Sequence, residues 1–466
     1  MPMKRNIKLL LGVFTIAFFM LAAYLVYIVV FEGDRNYNNV YNRRITTQDK
    51  RGEIRSRDGQ VLARSVRQGD VWVREYPMAN IFSHVVGFVD KDMRASGIEL
   101  SHTRELEGLN NSIFRKIFHK IFLGEIQGNN LELTLDSRLQ KIACDAMPSG
   151  VKGAIVLMNP KNGEILAMVS KPDFDPNNME AVKEQREKGE SSVLVNRAVQ
   201  GKYPPGSTFK IVTSVCALDN IEGMLDRKYN CEGTVSIQGS QLSCSGGTAH
   251  GNVDLFGAFG VSCNTTFAKI GSELKRDVML KTAESFMFNK TFYFRDIITN
   301  TTSNFPTGGG DSELAQNAIG QGQVVVTPLH MALIVNSIAN DGVMMEPRLV
   351  RSIQTYNNMD LKKMSPREVT TVTSPQTAQI IKDMMVEVVN TGTGRVVALD
   401  STQVAAKTGT AEVGGNARPH GWFVAFAPAD DPTLSVVVIL ENVGSGAGNC
   451  GPIAKKLLKE AIKFGY

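Results

Sequence analysis

The segment Gly153-Ala-Ile-Val-Leu-Met158, Asn159-Pro-Lys-Asn-Gly163, Glu164-Ile-Leu-Ala-Met-Val169 carries the clearest local fold signal in the chain. Its two ends are short apolar runs, and its centre is rich in residues that favour turns. This pattern predicts a β-hairpin.

Further strands are predicted near the C-terminus. They lie at Gln403–Val413, Trp422–Ala427 and Leu434–Leu440, and an amphipathic helix over about Pro452–Phe464 follows them. Between the hairpin and these strands, helical spacing dominates, as at Ile211, Val212, Val215 and Leu218. Two strands, a helical section, three strands and a helix predict an α+β domain with one five-stranded antiparallel sheet flanked by helices.

The N-terminus predicts a membrane anchor. Basic residues at Lys4, Arg5 and Lys8 precede an uncharged apolar run from Leu9 to Phe31, and acidic residues follow it at once. This run is long enough to span a bilayer, and the flanking charges place residues 1–8 in the cytosol and the remaining chain outside. A cleaved signal peptide is the alternative, but the run is long for one and no small-residue cleavage site follows it.

The remaining chain divides into two predicted blocks. Residues 32–130 form a small, mostly β block in which Asp58-Gly59 marks a hairpin, and Gln127-Gly-Asn-Asn130 is a candidate linker. The α+β domain occupies residues 131–466.

Composition excludes several function classes. The chain has 466 residues, of which 43% are hydrophobic, and its net charge of +5 is too mild to suggest nucleic-acid binding. The six cysteines form no C-x-x-C pair and no zinc-type spacing with histidine, so no metal or other cofactor is expected. Cys231 and Cys244, 13 residues apart, could pair as a disulfide or remain free thiols.

The first chemical motif is Tyr203-Pro-Pro-Gly-Ser-Thr-Phe-Lys210. A stiff turn precedes helical spacing, so Ser207 is predicted at a helix N-terminus with Lys210 on the same face. A serine hydroxyl needs a base to become a nucleophile, and a lysine kept neutral by burial or by nearby positive charge can serve. By itself, this pattern fits equally well an ordinary N-cap serine that lies beside a solvent-exposed lysine.

Two further motifs follow. In Ser262-Cys-Asn264, the serine and asparagine can point into one cleft, the serine to move a proton and the asparagine to hold a substrate amide. In Lys407-Thr-Gly-Thr410, lysine and glycine lie inside a predicted strand, where both are unfavoured. Glycine there usually marks the close approach of another backbone, such as a peptide substrate along the edge.

These motifs, in this order, resemble those of the penicillin-binding proteins, specifically the class B, penicillin-binding protein A type. The resemblance runs from about Arg51 to the C-terminus. It includes Arg51-Gly-Glu-Ile and Gly97-Ile-Glu99 in the first block, which is similar to the family's pedestal domain, and Pro419-His-Gly-Trp-Phe423 in the second.

The resemblance implies a peptidoglycan D,D-transpeptidase that is inhibited by β-lactams. Ser207 would attack a stem peptide between its terminal D-alanines, with Lys210 as base and Ser262 as proton relay. The amides of Ser207 and Thr410 would form the oxyanion hole. Lys407, Thr408 and Thr410 would hold the donor's terminal carboxylate, and Gly409 would belong to the same substrate-binding stretch.

The resemblance also implies an extracytoplasmic single-pass protein whose partner is a polytopic peptidoglycan glycosyltransferase. Alternatives remain open: a serine β-lactamase or D,D-carboxypeptidase of the same fold, or a non-catalytic sensor or scaffold. A Ser-His-Asp hydrolase is disfavoured, because Gly206-Ser207 is not followed by the glycine of a nucleophile elbow. His250 and His420 are interpreted as structural.

Overall fold

The computed structural model describes residues 2–27, 50–90, 94–111, 119–123, 127–189, 191–415 and 417–466. The strands in these ranges are β1 Ile54–Arg55, β2 Val61–Gln68, β3 Val71–Glu75, β4 Asn130–Leu133, β5 Gly153–Met158, β6 Ile165–Lys171, β7 Tyr229–Cys231, β8 Thr234–Ile237, β9 Ser240–Ser243, β10 Gly251–Val253, β11 Val343–Met345, β12 Val350–Gln354, β13 Asp360–Lys363, β14 Glu368–Thr371, β15 Ala405–Ala411, β16 His420–Ala427 and β17 Leu434–Leu440.

The α-helices are α1 Pro2–Tyr27, α2 Ser83–Val86, α3 Gly97–Ser101, α4 Thr103–Leu106, α5 Ser137–Ala146, α6 Met179–Glu187, α7 Arg197–Gln200, α8 Lys210–Asn220, α9 Leu255–Gly260, α10 Asn264–Glu273, α11 Arg276–Ser285, α12 Asp311–Ala318, α13 Pro328–Ala339, α14 Pro375–Asn390, α15 Gly446–Asn449 and α16 Gly451–Lys463. A short 3₁₀ helix, Gly206–Phe209, runs directly into α8.

The predicted five-stranded antiparallel sheet is confirmed, with strand order β15-β16-β17-β5-β6. Its central strands are buried on both faces, which explains their continuous apolar sequence. Alternate residues enter two separate cores. Ile155 and Leu157 pack with α5 and α16, whereas Ala154 and Val156 face the core that contains α13.

A second sheet has the order β13-β12-β4-β1-β2-β3. Asp58-Gly59 makes the predicted turn between β1 and β2, with Gly59 at a φ of 83°. The candidate linker is instead part of the folded structure. Gly128 donates its N–H to the Lys50 carbonyl, and Asn130 begins β4, which pairs with β1 and β12. The sheet therefore crosses the predicted boundary at residues 130 and 131.

The predicted anchor, residues 9–31, falls mainly on α1, and residues 28–31 lie outside the described part of the chain. Within the described residues, no helix has both the length and the apolar character that a membrane crossing requires.

Candidate functional site

The turn that carries Ser207 is fixed from two sides. Gly206 has a φ of 55° and donates its N–H to the Gly320 carbonyl at 2.8 Å. Trp422 of β16 donates its indole N–H to the Pro204 carbonyl at 2.9 Å. The turn is therefore held against the edge of the five-stranded sheet. Ser207 is only partly buried, and among the described residues its hydroxyl makes no hydrogen bond, which leaves it open to an incoming molecule.

Four of the predicted site residues meet beside this turn. The Lys210 Nζ donates to the Ser262 carbonyl at 2.8 Å, to the Asn264 Oδ1 at 2.8 Å and to the Ser262 Oγ at 3.3 Å. The Lys407 Nζ donates to the same Ser262 Oγ at 2.9 Å. The Ser262 hydroxyl thus lies between two amines, at a residue whose φ of 58° is unusual for serine.

Both lysine side chains are shielded from solvent. Lys210 and Lys407 have no exposed surface, and their amines lie 5.3 Å from the ring centres of Phe267 and Phe259. Burial lowers the pKa of Lys210 to about 7. Burial, followed by the nearby Lys210 charge, lowers the pKa of Lys407 well below its ordinary value. Two like charges so close to one hydroxyl disfavour each other, so a neutral amine is accessible near neutral pH.

The Lys407 motif lies on β15, the edge strand of the sheet. Strand β15 pairs with β16 along one edge, and in the described part of the chain no strand pairs with its other edge. The Thr408 Oγ1 contacts the Thr393 Oγ1 at 2.8 Å. Thr410 is exposed. This strand can therefore accept an extended peptide along its free edge.

The close approach at Gly409 has a different cause from the one predicted. A Cβ at Gly409 would lie 2.9 Å from the Trp422 Cβ, 3.0 Å from the Thr208 Cγ2 and 3.1 Å from the Pro205 carbonyl oxygen. The glycine is thus required because the Ser207 turn packs directly against the strand. It brings the two motifs together without involving a bound peptide.

Some residues around the site were missed by the sequence analysis. Phe259 and Phe267 lie three residues before and five after Ser262, a spacing that could have pointed to them. Thr393 belongs to Thr391-Gly-Thr-Gly394, which packs on the Gly260 carbonyl: the Thr393 N–H donates to that oxygen at 3.3 Å. Glu441 accepts hydrogen bonds from Arg197 and Tyr203, both at 2.8 Å, next to the Ser207 turn.

Comparison with known proteins gives two matching family profiles. The penicillin binding protein transpeptidase domain matches residues 153–460, and the penicillin binding protein A dimerisation domain matches residues 51–131. The peptidoglycan D,D-transpeptidase PbpA of Mycolicibacterium smegmatis is 31% identical over an alignment 466 residues long, gaps included, which spans 94% of this chain and 94% of that one.

Solved structures of related penicillin-binding proteins are also similar to this chain. The D,D-transpeptidase domain of a peptidoglycan glycosyltransferase from Eggerthella lenta is 36% identical and superposes with a TM-score of 0.81 over 90% of this chain and 99% of that one. Penicillin-binding protein A from M. tuberculosis, solved as a penicillin G acyl-enzyme complex, is 32% identical, with a TM-score of 0.81 over 89% of this chain and 100% of that one.

Proposed function

Because the chain belongs to the class B penicillin-binding proteins and is a PbpA-like peptidoglycan D,D-transpeptidase, we propose that Ser207 is its acylated nucleophile and Lys210 the base that activates it. The supporting observation is the buried cluster in which Lys210, Ser262, Asn264 and Lys407 share hydrogen bonds beside the Ser207 turn. The partly buried Ser207 hydroxyl faces no competing partner among the described residues.

The mechanism begins with the donor stem peptide along the free edge of β15. Its terminal carboxylate binds at Lys407, Thr408 and Thr410, beside Gly409. The Ser207 hydroxyl attacks the carbonyl between the terminal D-alanines, and neutral Lys210 takes its proton. The backbone N–H groups of Ser207 and Thr410 stabilise the oxyanion.

Collapse of this intermediate breaks the peptide bond. The departing D-alanine amine takes back, through Ser262, the proton that Lys210 accepted from Ser207, so Lys210 is neutral again. Asn264 holds the amide of the stem peptide. The amine of a neighbouring stem peptide then attacks the acyl-enzyme, its proton passes to Lys210, and the Ser207 hydroxyl is restored. The products are a cross-linked peptide and free D-alanine. A β-lactam enters the same pathway and stops as the Ser207 acyl-enzyme.

The nucleophile assignment predicts one modified residue. The full-length chain, extracted in detergent and treated with a fluorescent penicillin, should carry its label on Ser207 in a peptide mass map. Ser207→Ala should abolish labelling, since the neighbouring Thr208 hydroxyl is buried and already donates to the Pro205 carbonyl at 2.8 Å. Ser401→Ala, in an exposed bend before β15, should label normally. A label that maps to another residue would contradict the assignment.

We also propose that residues 9–31 anchor the protein, residues 1–8 stay in the cytosol, residues 32–130 form the pedestal and residues 131–466 the catalytic domain. The uncharged run and its flanking charges support this topology. It places the catalytic domain outside the cytoplasmic membrane, where the anchor and pedestal can meet a polytopic peptidoglycan glycosyltransferase.

A chain that starts near Arg35 should therefore leave the membrane fraction, react with penicillin at the rate of the full-length chain and fail to copurify with such a glycosyltransferase. Retention of the shortened chain in washed membranes would refute the anchor assignment.

A further inference from the structure

Three cysteines and one histidine come together beside the catalytic cluster. Their ligand atoms, the sulfurs of Cys231, Cys244 and Cys263 and a ring nitrogen of His250, all lie within 4.8 Å of one another. The Sγ of Cys244 is 3.7 Å from the Sγ of Cys231 and 3.7 Å from that of Cys263, and the Cys231 Sγ is 3.3 Å from the His250 Nδ1. The three cysteines are almost fully buried.

These distances fit a tetrahedral metal site. Sulfur ligands about 2.3 Å from zinc lie about 3.8 Å apart in a tetrahedron, and a sulfur and an imidazole nitrogen lie about 3.5 Å apart. A disulfide needs sulfurs at about 2.05 Å and could join only two of the three cysteines. It would leave the third thiol and His250 unused. Sulfur and imidazole ligands together favour zinc over the oxygen-seeking cations.

The surroundings suit thiolate ligands. The backbone N–H of His250 points at the Cys231 sulfur at 3.4 Å. The Thr266 hydroxyl lies 3.1 Å from the Cys263 sulfur, and the Thr266 N–H lies 3.5 Å from the same atom. Hydrogen-bond donors of this kind stabilise metal-bound thiolates and fix their orientation.

The segment that supplies three of the four ligands, Cys231, Cys244 and His250, has almost no core of its own. From Tyr229 to Val253 it forms two separate two-stranded ribbons, β7 with β10 and β8 with β9. Its buried residues are Cys231, Gly233 and Cys244. Isolated two-stranded ribbons are marginally stable in water, and small folds without a core are commonly held by a metal or disulfides.

We propose that Cys231, Cys244, His250 and Cys263 bind a structural zinc ion that holds the Tyr229–Val253 segment against the catalytic site. On binding, the cysteine ligands release their thiol protons to solvent and His250 binds as neutral imidazole. All four positions are then filled by protein, so the ion has no open position for substrate.

This site also positions catalytic groups, a part of the proposal that rests on the proposed roles of Ser262 and Asn264. Cys263 lies between them, so a metal bond to its sulfur restrains both neighbours. Asn264 in turn donates to the Ser243 carbonyl at 2.9 Å, next to Cys244. The metal thus stabilises the left-handed conformation of Ser262 that turns its hydroxyl towards Lys210 and Lys407.

The test begins with metal content. The full-length chain, purified under reducing conditions and freed of loosely held ions, should contain about one zinc per chain. Cobalt(II) exchanged into the site should give the intense thiolate-to-metal absorption of tetrahedral sulfur ligation. Cys231→Ala, Cys244→Ala and His250→Ala should each lose both signals. Cys144→Ala, at a buried thiol far outside the cluster, should keep them.

The positioning role has a separate readout. His250→Ala, which leaves the Ser262-Cys-Asn264 motif intact, should slow acylation by penicillin about tenfold while the label still maps to Ser207. Normal acylation in the zinc-free protein would refute the positioning role alone. A reduced wild-type chain that takes up neither zinc nor cobalt, or a native chain whose non-reducing peptide map shows two of these cysteines disulfide-bonded, would overturn the metal site. Loss of the label from Ser207 in the zinc-loaded wild type would instead refute the proposed nucleophile.

Discussion

Lys210→Arg should acylate with penicillin about 10²–10⁴-fold more slowly than the wild type at neutral pH, the range that general-base catalysis contributes. Arginine is also a long basic side chain, but it remains protonated and cannot accept the Ser207 proton. Lys210→Ala should be similarly impaired. Lys202→Arg, the same exchange at an exposed lysine eight residues earlier, should react normally. The measurement is the rate constant of acylation under single-turnover conditions.

The pH dependence of the acylation rate is a more specific test of Lys210 as the base. Since burial lowers the pKa of Lys210 to about 7, the neutral fraction of its amine grows as the pH rises through that value. The wild-type acylation rate should therefore rise with pH up to about 7 and then level off. The acylation rate of Lys210→Ala should not show this rise. Near-normal acylation by Lys210→Arg would exclude Lys210 as the base and direct attention to Ser262.

The sequence predicted the fold best where local pattern and burial agree. The strands of the five-stranded sheet are apolar runs bounded by turn residues, and Leu434–Leu440 was predicted with the bounds that the structure has. Strands β7 to β10 were missed, because they are short, half exposed and without a clear period. The pairing of β12 with β4 was also missed, since it joins segments more than 200 residues apart and has no local signature.

The sequence likewise predicted some features of the catalytic site and missed others. The three motifs are short and could be recognised from their order, and the structure brings Lys210, Ser262, Asn264 and Lys407 together. The proposed zinc ligands could not be found by spacing, because only the tertiary structure brings Cys231, Cys244, His250 and Cys263 together. The sequence-based expectation of no metal rested on local spacing alone. Only the tertiary arrangement places the middle residue of Ser262-Cys-Asn264 among the ligands of the proposed metal site.

Two motifs noted separately in the first block turn out to be one unit. Arg51 binds the Glu99 carboxylate through its Nε at 3.1 Å and its Nη2 at 2.9 Å, and Arg74 binds the other Glu99 oxygen at 2.6 Å. Glu99 has no exposed surface, and Arg51 also pairs with the buried Glu107 at 2.7 Å. This network ties β3 and α3 to the segment that leads into β1.

Glu99→Ala should therefore lower the free energy of unfolding of this region by about 3–5 kcal/mol, because it leaves two buried guanidinium groups with reduced compensation. Urea unfolding of the detergent-extracted chain, followed by tryptophan fluorescence, measures the change, since Trp72 lies on the same strand as Arg74. The control is Glu75→Ala, which removes the exposed partner of Arg64 and should change the stability by about 0–1 kcal/mol.

The dependence of stability on pH in the acid range distinguishes the loss of charge pairing from the loss of packing. Burial by itself would raise the pKa of Glu99, but Arg74 and Arg51 outweigh it and hold that pKa below its ordinary value of 4.5. The pairing therefore stabilises the folded state fully above pH 4.5, and this contribution is lost as the pH falls through the lower native pKa. The stability difference between wild type and Glu99→Ala should shrink as the pH is lowered below 4.5. A difference that stays constant down to the acid transition would show that Glu99 stabilises this region through packing and not through its charge.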